Sequence, residues 1–111
     1  MRTLVINPGS TSTKVAVFDD LVKIKEDTVR HDSKKLAKFE ELADQTPFRL
    51  KLVMSFLKKS GMKLNTIDAF IGRGGLMKPV TSGIYEVNDK MVQDLASCKY
   101  GKHASNLGGL M

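Results

Sequence analysis

The segment that joins the first two apolar runs constrains the fold of this chain most. Thr3–Ile6 and Val15–Phe18 are short runs rich in β-branched residues, which is typical of strands. Pro8 and Gly9 lie between them and favour a turn, because proline fixes φ and glycine reaches φ values that other residues resist. The two runs and the turn therefore predict a β-hairpin.

The loop of this hairpin is rich in small polar side chains. Four hydroxyls, one amide and one ammonium group come from Asn7, Ser10, Thr11, Ser12, Thr13 and Lys14. A polyphosphate is bound by many donors of little bulk and a fixed positive charge, which this loop offers. The composition is equally typical of an ordinary turn, and the Walker pattern that opens a helix is absent. From the residues alone, both interpretations stay open.

Periodicity predicts a meander followed by two helices. A third strand is expected over Val22–Val29, with one wet face, after a tight turn at Asp19–Asp20. The first helix is predicted over Ser33–Ala43, with Ser33 as its N-cap and Leu36, Phe39, Leu42 and Ala43 on one face. The second is predicted from Thr46, as N-cap, to Gly61, with a core stripe of Phe48, Leu52, Val53, Phe56 and Leu57.

The second half of the chain carries weaker signals. We expect a short buried strand over Ile67–Ile71 and an extended or hairpin-like piece over Thr81–Val87. Asn88 is predicted to cap a helix whose inward face is formed by Met91, Val92, Leu95 and Ala96. A further helix is expected to open at His103.

Composition excludes several classes of function. The net charge is +6, from 18 Lys and Arg against 12 Asp and Glu, but the lysines are dispersed and aromatic residues make up only 6%. A nucleic-acid platform is therefore not expected. The single cysteine, Cys98, has no partner for a disulfide or a zinc site, which is typical of a reducing cytoplasm. Neither a signal peptide nor a membrane span is predicted.

Several motifs in order resemble one enzyme family. Met1–Asp20 is similar to the opening of the acetate and butyrate kinase family, and Ile71–Leu76, Pro79–Asn88 and Gly101–Gly109 resemble its butyrate kinase branch. The resemblance covers essentially all 111 residues. It implies an α/β fold, a lobe of the ribonuclease-H-like, actin-type ATPase class, with a mixed sheet flanked by helices.

The resemblance also implies a domain organisation. Members of this family have two lobes with ATP in the cleft between them, so residues 1–111 are expected to be a partial N-terminal lobe. The C-terminal nucleotide lobe is expected to be absent, and the 111-residue chain alone is predicted to be inactive and to bind nucleotide weakly. The full-length enzyme is expected to be a homo-oligomer in the cytoplasm, with no membrane or nucleic-acid partner.

The activity that the resemblance implies is reversible phosphoryl transfer from ATP, with Mg²⁺, to a short-chain carboxylate, giving ADP and an acyl phosphate. Pro8 in the first loop and the glycines around Arg73 depart from acetate kinases, which favours butyrate or isobutyrate as substrate. The alternatives are another acyl kinase, acting on branched-chain acids, acetate or propionate, a non-catalytic actin-like phosphate-binding module, and a basic nucleic-acid binder.

Two residues outside the hairpin are candidate catalytic groups. Arg73 follows a predicted strand between glycines, so its guanidinium can present a planar fork to a carboxylate or phosphoryl group. A surface salt bridge or a single RNA-binding Arg-Gly-Gly element are the alternatives. The resemblance implies that Arg73 lies by the carboxylate and the transferring phosphoryl group. It also implies that His103, otherwise a cap or surface residue, donates to that phosphoryl group.

The remaining site residues are assigned by the resemblance. Asn7, Ser10, Ser12 and Lys14 are expected to contact the phosphates, with Asn7 reaching Mg²⁺ through its water shell. Further possible site residues are Gly9, Thr11, Gly74, Gly75 and Asn106. His31, between a basic and an acidic residue, is predicted to be a loop residue without a functional role.

Overall fold

A four-stranded mixed sheet organises the computed structural model, which describes residues 1–111. Its strands are β1 (Arg2–Pro8), β2 (Ser12–Asp19), β3 (Val22–Arg30) and β4 (Ala69–Gly72). The spatial order is β3-β2-β1-β4; β1 pairs antiparallel with β2, β2 antiparallel with β3, and β1 parallel with β4. The predicted α/β class, mixed sheet and opening three-strand meander are confirmed.

Three α-helices and three 3₁₀ helices complete the chain. The α-helices are α1 (Ser33–Leu36), α2 (Thr46–Lys59) and α3 (Asp89–Ala96). The 3₁₀ helices are Leu42–Gln45, Leu64–Thr66 and Ala104–Gly109. None of the helices is long and apolar enough to cross a lipid bilayer.

The core lies between α2 and one face of the two central strands. Alternate residues of a strand point to opposite faces, so Leu4 and Ile6 of β1 share a face with Val15 and Val17 of β2. They pack with three residues of the predicted α2 stripe and with a residue two positions before β4: Val53, Phe56, Leu57 and Ile67. The opposite face of the same strands carries Asn7, Ser12 and Lys14.

The prediction of one helix over Ser33–Ala43 is wrong. The helix ends at Leu36, and its N-cap is Asp32, whose side chain accepts from the backbone N–H of Lys34 at 2.9 Å. A separate 3₁₀ turn then begins with a capping box, in which the N–H of Glu41 donates to Asp44 at 3.2 Å. The apolar spacing thus runs across two separately capped helical segments, with Ala37 as the C-cap of the first.

The second helix has the predicted span but not the predicted cap. Its N-cap is Gln45, whereas Thr46 is the first helical residue and its Oγ1 is buried without a hydrogen-bond partner. Pro47 lies in the first turn, where its missing N–H costs nothing. Gly61 ends the helix as predicted, with a φ of 70° that favours glycine.

Burial of the two edge strands was overestimated. β3 is exposed on both faces rather than one, and Val22 is 65% exposed. In β4 the side chains of Phe70 and Ile71 are 58% and 43% exposed, although a buried strand was predicted. The reason is position in the sheet, because the core of α2 forms with the central strands β1 and β2.

The segment between β4 and α3 has no regular secondary structure, and residues 81–87 are exposed along their whole length without forming a hairpin. Asn88 caps α3 as predicted, with its side chain accepting from the N–H of Met91 at 2.9 Å. Leu95 is buried, but Val92 is 37% exposed, which corrects the predicted inward face.

Candidate functional site

The hairpin between β1 and β2 brings three of the predicted phosphate ligands onto one face. Asn7 lies directly opposite Lys14 in the β1–β2 register. Residues that are directly opposite in an antiparallel pair project their side chains to the same face, with Cβ atoms about 5 Å apart. Ser12, two residues before Lys14, shares that face. The loop closes with a hydrogen bond from the N–H of Gly9 to the carbonyl of Ser12 at 2.7 Å.

At the tip of the loop, the backbone carbonyls have protein partners, whereas two of the backbone N–H groups have none. The carbonyls of Gly9, Ser10 and Ser12 accept hydrogen bonds from the guanidinium of Arg49, and the carbonyl of Thr11 accepts from the N–H of His31 at 2.8 Å. In contrast, the N–H groups of Ser10 and Thr11 donate to no protein group, and both residues are exposed. Successive backbone N–H groups without protein acceptors are the kind of donor that binds an anion.

Arg49 of α2 is fully buried beneath this loop. Its Nη1 donates to the carbonyls of Gly9 at 2.7 Å and Ser12 at 3.0 Å and to Thr13 Oγ1 at 3.2 Å. Its Nη2 and Nε donate to Gln45 Oε1 at 2.9 and 3.1 Å. Burial lowers the pKa of Arg49 from its ordinary value. No carboxylate forms an ion pair with it.

His31 is buried beside Arg49, which corrects the prediction that it is an ordinary loop residue. It is 7% exposed, its Nε2 lies 2.8 Å from Thr13 Oγ1, and its ring packs edge-on against Phe48. Its Nδ1 has no partner. Burial, and secondarily the charge of Arg49, lower the pKa of His31 below its ordinary value. Protonation of this ring is therefore less favourable than that of an exposed histidine.

Sequence reasoning missed both residues, although Arg49 carried a signal. It lies four residues before Val53 and seven before Phe56, which places it on the apolar face of α2. A charged residue in a core stripe is seldom fully buried unless it has a dedicated set of acceptors. His31 carried no comparable signal, because its burial depends on the distant side chains of Phe48 and Thr13.

Arg73 lies beside the hairpin, immediately beyond the end of β4. The last pair in the parallel register is Ile6 with Gly72, and the N–H of Arg73 donates to the carbonyl of Ile6 at 2.9 Å. Continuing the register by one residue puts Arg73 next to Asn7, and thus in one row with Lys14. The guanidinium is exposed and bonds to no protein group, so it is free to meet a ligand.

His103 caps the 3₁₀ helix Ala104–Gly109. The N–H of Ser105 donates to His103 Nδ1 at 3.1 Å. Because a backbone N–H can only donate, Nδ1 is an acceptor and the neutral ring carries its proton on Nε2. The exposed side of the ring therefore offers a hydrogen-bond donor, as the predicted role requires.

The structure does not bring His103 into contact with the hairpin. A Cβ on Gly108 would lie 2.9 Å from the carbonyl oxygen of Arg73 and 3.3 Å from the Cα of Gly72. Gly72 pairs with the core residue Ile6, so this helix packs on the same face of the sheet as α2. The 3₁₀ helix that follows His103 therefore packs on the face of the sheet opposite Asn7 and Lys14.

Asn106 and Gly75 have packing roles. Asn106 is fully buried, accepts from the N–H of Leu76 at 2.8 Å and donates to the carbonyl of Gly101 at 2.9 Å. A Cβ on Gly75 would lie 2.6 Å from the Cα of Asn106. The amide of Asn106 is thus engaged with the protein. Gly74 has open space around it, which leaves room beside Arg73.

An apolar groove of about 910 Å³ adjoins Arg73. The glycines on either side of Arg73 line it, together with apolar side chains that include Phe70, Ile71, Val80, Ile84 and Met91. No group of three His, Cys, Asp or Glu side chains is placed to hold a metal ion. The groove is also lined by Ile6, Gly108 and Gly109, which belong to the face of the sheet opposite Asn7 and Lys14.

Comparison with known proteins identifies relatives of this sequence. No protein-family model matches the chain. Butyrate kinase 1 of Clostridium acetobutylicum is 46% identical over 110 residues, which cover 99% of this chain and 31% of that protein. Butyrate kinase 2 of the same organism has the same identity and coverage. The chain therefore spans about a third of the length of these curated relatives. It is related to the butyrate kinases over 99% of its own length, which confirms the resemblance predicted from its motifs.

Proposed function

We propose that this chain provides the phosphate-binding hairpin and the carboxylate-facing arginine of an ATP-dependent short-chain carboxylate kinase of the actin-like class. The observation that carries the proposal is the loop tip, where two unpaired N–H groups, of Ser10 and Thr11, adjoin the ammonium-bearing strand of Lys14. The identity to two butyrate kinases supports the same reaction class.

In the proposed reaction a carboxylate oxygen forms a bond to the γ-phosphorus of ATP, and the bond to the bridging oxygen of ADP breaks. Catalysis of such a transfer consists mainly of positioning and charge stabilisation. Asn7, Ser10, Ser12 and Lys14 would hold the phosphates. Mg²⁺ would arrive with the nucleotide as part of the substrate, and Asn7 would meet its water shell.

Arg73 would hold the carboxylate and stabilise charge on the equatorial oxygens of the phosphoryl group. Its unpaired guanidinium and its place in the row with Asn7 and Lys14 support this role. The adjoining groove supports an acid with an apolar tail, such as butyrate or isobutyrate. His103 would donate from Nε2, which requires the phosphoryl group to lie past the strand ends, where both faces of the sheet are accessible.

The test is to express the reading frame that contains this chain and to trap acyl phosphate with hydroxylamine in the presence of Mg²⁺ and ATP. We expect the highest kcat/KM with butyrate or isobutyrate and lower values with propionate and acetate. Arg73→Gln should reduce kcat/KM by roughly 100-fold. Lys63→Gln, which removes one exposed charge elsewhere, is the matched control. Absence of hydroxamate with every one of these acids would contradict the proposal.

The 111-residue chain alone is proposed to have no turnover, and sustained acyl phosphate formation by it would contradict this. A non-catalytic phosphate-binding module is the second candidate, because the hairpin and the buried side chains beneath it are complete within these residues. Saturable polyphosphate binding without turnover by the whole product of the reading frame would favour this second function.

A further inference from the structure

We propose that Arg49 is a positioning residue for phosphate binding, which turns two peptide planes of the hairpin loop so that their N–H groups face the anion. The inference rests on the proposed phosphate-binding function and adds to it a buried residue that touches no substrate.

The orientation follows from the geometry of the peptide bond. In a trans peptide the C=O and the N–H point in opposite directions, and the chain has no cis peptide bonds. The carbonyl of Gly9 accepts from Arg49 Nη1 at 2.7 Å, so the N–H of Ser10, in the same peptide unit, points away from the interior. The carbonyl of Ser10 lies 3.4 Å from Nη2, which directs the N–H of Thr11 in the same way.

The orientation of Arg49 is itself fixed. Gln45 Oε1 accepts from both Nε and Nη2, at 3.1 and 2.9 Å, one turn earlier on α2. Thr13 Oγ1 accepts from Nη1 at 3.2 Å and connects the guanidinium to His31. All of the donor nitrogens of the guanidinium therefore have partners, and its planar fork spans acceptors that a single ammonium group cannot reach together.

The charge of Arg49 supports an anion site in front of the loop. Its partners are neutral oxygens, and the ion pairs of the chain join other residues. A buried charge without a counter-ion is costly. A phosphate bound to the outer side of the two peptide planes would provide the missing negative charge, at a distance where the interaction is only partly screened.

Two variants separate the hydrogen bonds from the charge. Arg49→Lys keeps the positive charge but loses the planar fork. Gln45→Ala keeps the arginine and removes the acceptor that fixes two of its nitrogens, and it serves as the decisive variant if Arg49→Lys does not fold. Lys51→Gln removes a positive charge from the exposed side of the same helix and is the matched control.

The experiment measures binding of inorganic tripolyphosphate to the 111-residue chain by calorimetry, together with the amide proton shifts of Ser10 and Thr11 at saturation. We expect affinity to fall about tenfold in Arg49→Lys and about threefold in Gln45→Ala. The control should change by less than about twofold. The amide proton shifts that tripolyphosphate induces at Ser10 and Thr11 should be smaller at saturation in Arg49→Lys and Gln45→Ala, but not in the control. Loss of a residue that only stabilised the fold would not change these shifts at saturation.

Folded variants with wild-type affinity and wild-type amide shifts would overturn the inference and leave the proposed function intact. No saturable binding by the wild-type chain would overturn the phosphate-binding role of the hairpin, and the inference with it.

Discussion

The hairpin loop and the region of Arg73 and His103 are organised in opposite ways. The loop is held from the interior by Arg49, Thr13 and His31, which are 0%, 1% and 7% exposed. Arg73 and His103 are exposed, and the only hydrogen bonds of their side chains are the local ones of His103 to Ser105. At the hairpin, backbone donors are fixed before a ligand arrives. At the second region, the side chains of Arg73 and His103 are exposed to solvent.

This difference matters for binding energy. Donors that are already oriented interact with an anion without the cost of ordering them. An exposed arginine loses rotamer freedom when it closes on a ligand, at a cost of about 0.5–1.5 kcal/mol. We therefore expect the hairpin to determine where polyphosphate binds, and Arg73 to take its position only when the carboxylate is present.

The largest effect on stability is expected when the buried guanidinium of Arg49, beneath the hairpin loop, is removed. Arg49→Leu leaves the carbonyls of Gly9 and Ser10 and the amide of Gln45 without their donor. We expect the free energy of unfolding to fall by roughly 3–5 kcal/mol, because each buried acceptor left without a donor costs about 1–3 kcal/mol. Urea denaturation measures this. Lys51→Leu, on the exposed side of α2, should change stability by less than about 0.5 kcal/mol. Equal losses in the two variants would contradict the supporting role of Arg49 beneath the loop.

Truncation of an apolar side chain should lower stability more in the core at the centre of the sheet than at its edge. Leu57 is 1% exposed and Phe70 is 58% exposed. Leu57→Ala should cost about 3 kcal/mol through lost burial and a residual cavity. Phe70→Ala should cost less than about 0.5 kcal/mol in the same denaturation experiment. A larger loss for Phe70 would mean that β4 is covered in solution.

A smaller effect is expected at α3, which begins with a local cap. Asn88→Ala removes the side chain that accepts from the N–H of Met91. We expect a loss of about 1 kcal/mol in the free energy of unfolding. Asn65→Ala, at an exposed position without a cap, is the control. If both substitutions had the same effect, the cap would contribute nothing to this region.

The smallest effect concerns pH. The folded pKa of His31 is lowered from its ordinary value of 6.5, so the unfolded state binds more protons as pH falls through that value. The contribution of His31 to the free energy of unfolding should be complete above about pH 7 and should decrease as the pH falls from there toward the folded pKa. Thermal melts of wild type and His31→Gln test this, and the variant should show a flatter profile. His103→Gln should retain most of the decrease, and an unchanged slope in His31→Gln would refute the assignment.

Local signals predicted part of this structure. The turn at Pro8–Gly9, the strands β1 and β2 and the Asn88 cap each depend on residues close in sequence, and each was predicted correctly. The single helix predicted over Ser33–Ala43 is instead two separately capped segments, α1 and the 3₁₀ turn that begins after Glu41. The burial of β3 and β4 depends on which strands α2 packs against. This packing cannot be predicted from the sequences of the two strands.

The candidate site shows the same division. The polar residues of the loop were identified from composition and resemblance, because the hairpin is continuous in sequence. Arg49 lies 36 residues after Thr13 and was not connected to the hairpin, although its position on an apolar stripe was visible. The roles of Arg73 and His103 were predicted from resemblance, and the structure adds the row with Asn7 and the Nε2 tautomer.

The most direct test of the central claim is to map the site of polyphosphate binding residue by residue. Amide resonances of the ¹⁵N-labelled chain would be followed while inorganic tripolyphosphate is added at low salt. If the hairpin binds polyphosphate, the largest shifts occur at Ser10 and Thr11, with smaller ones at Lys14, and they saturate together. Non-saturating shifts spread over the exposed pairs Lys34–Lys35 and Lys58–Lys59 would mean that net charge, and not the hairpin, attracts the anion, and would contradict the account.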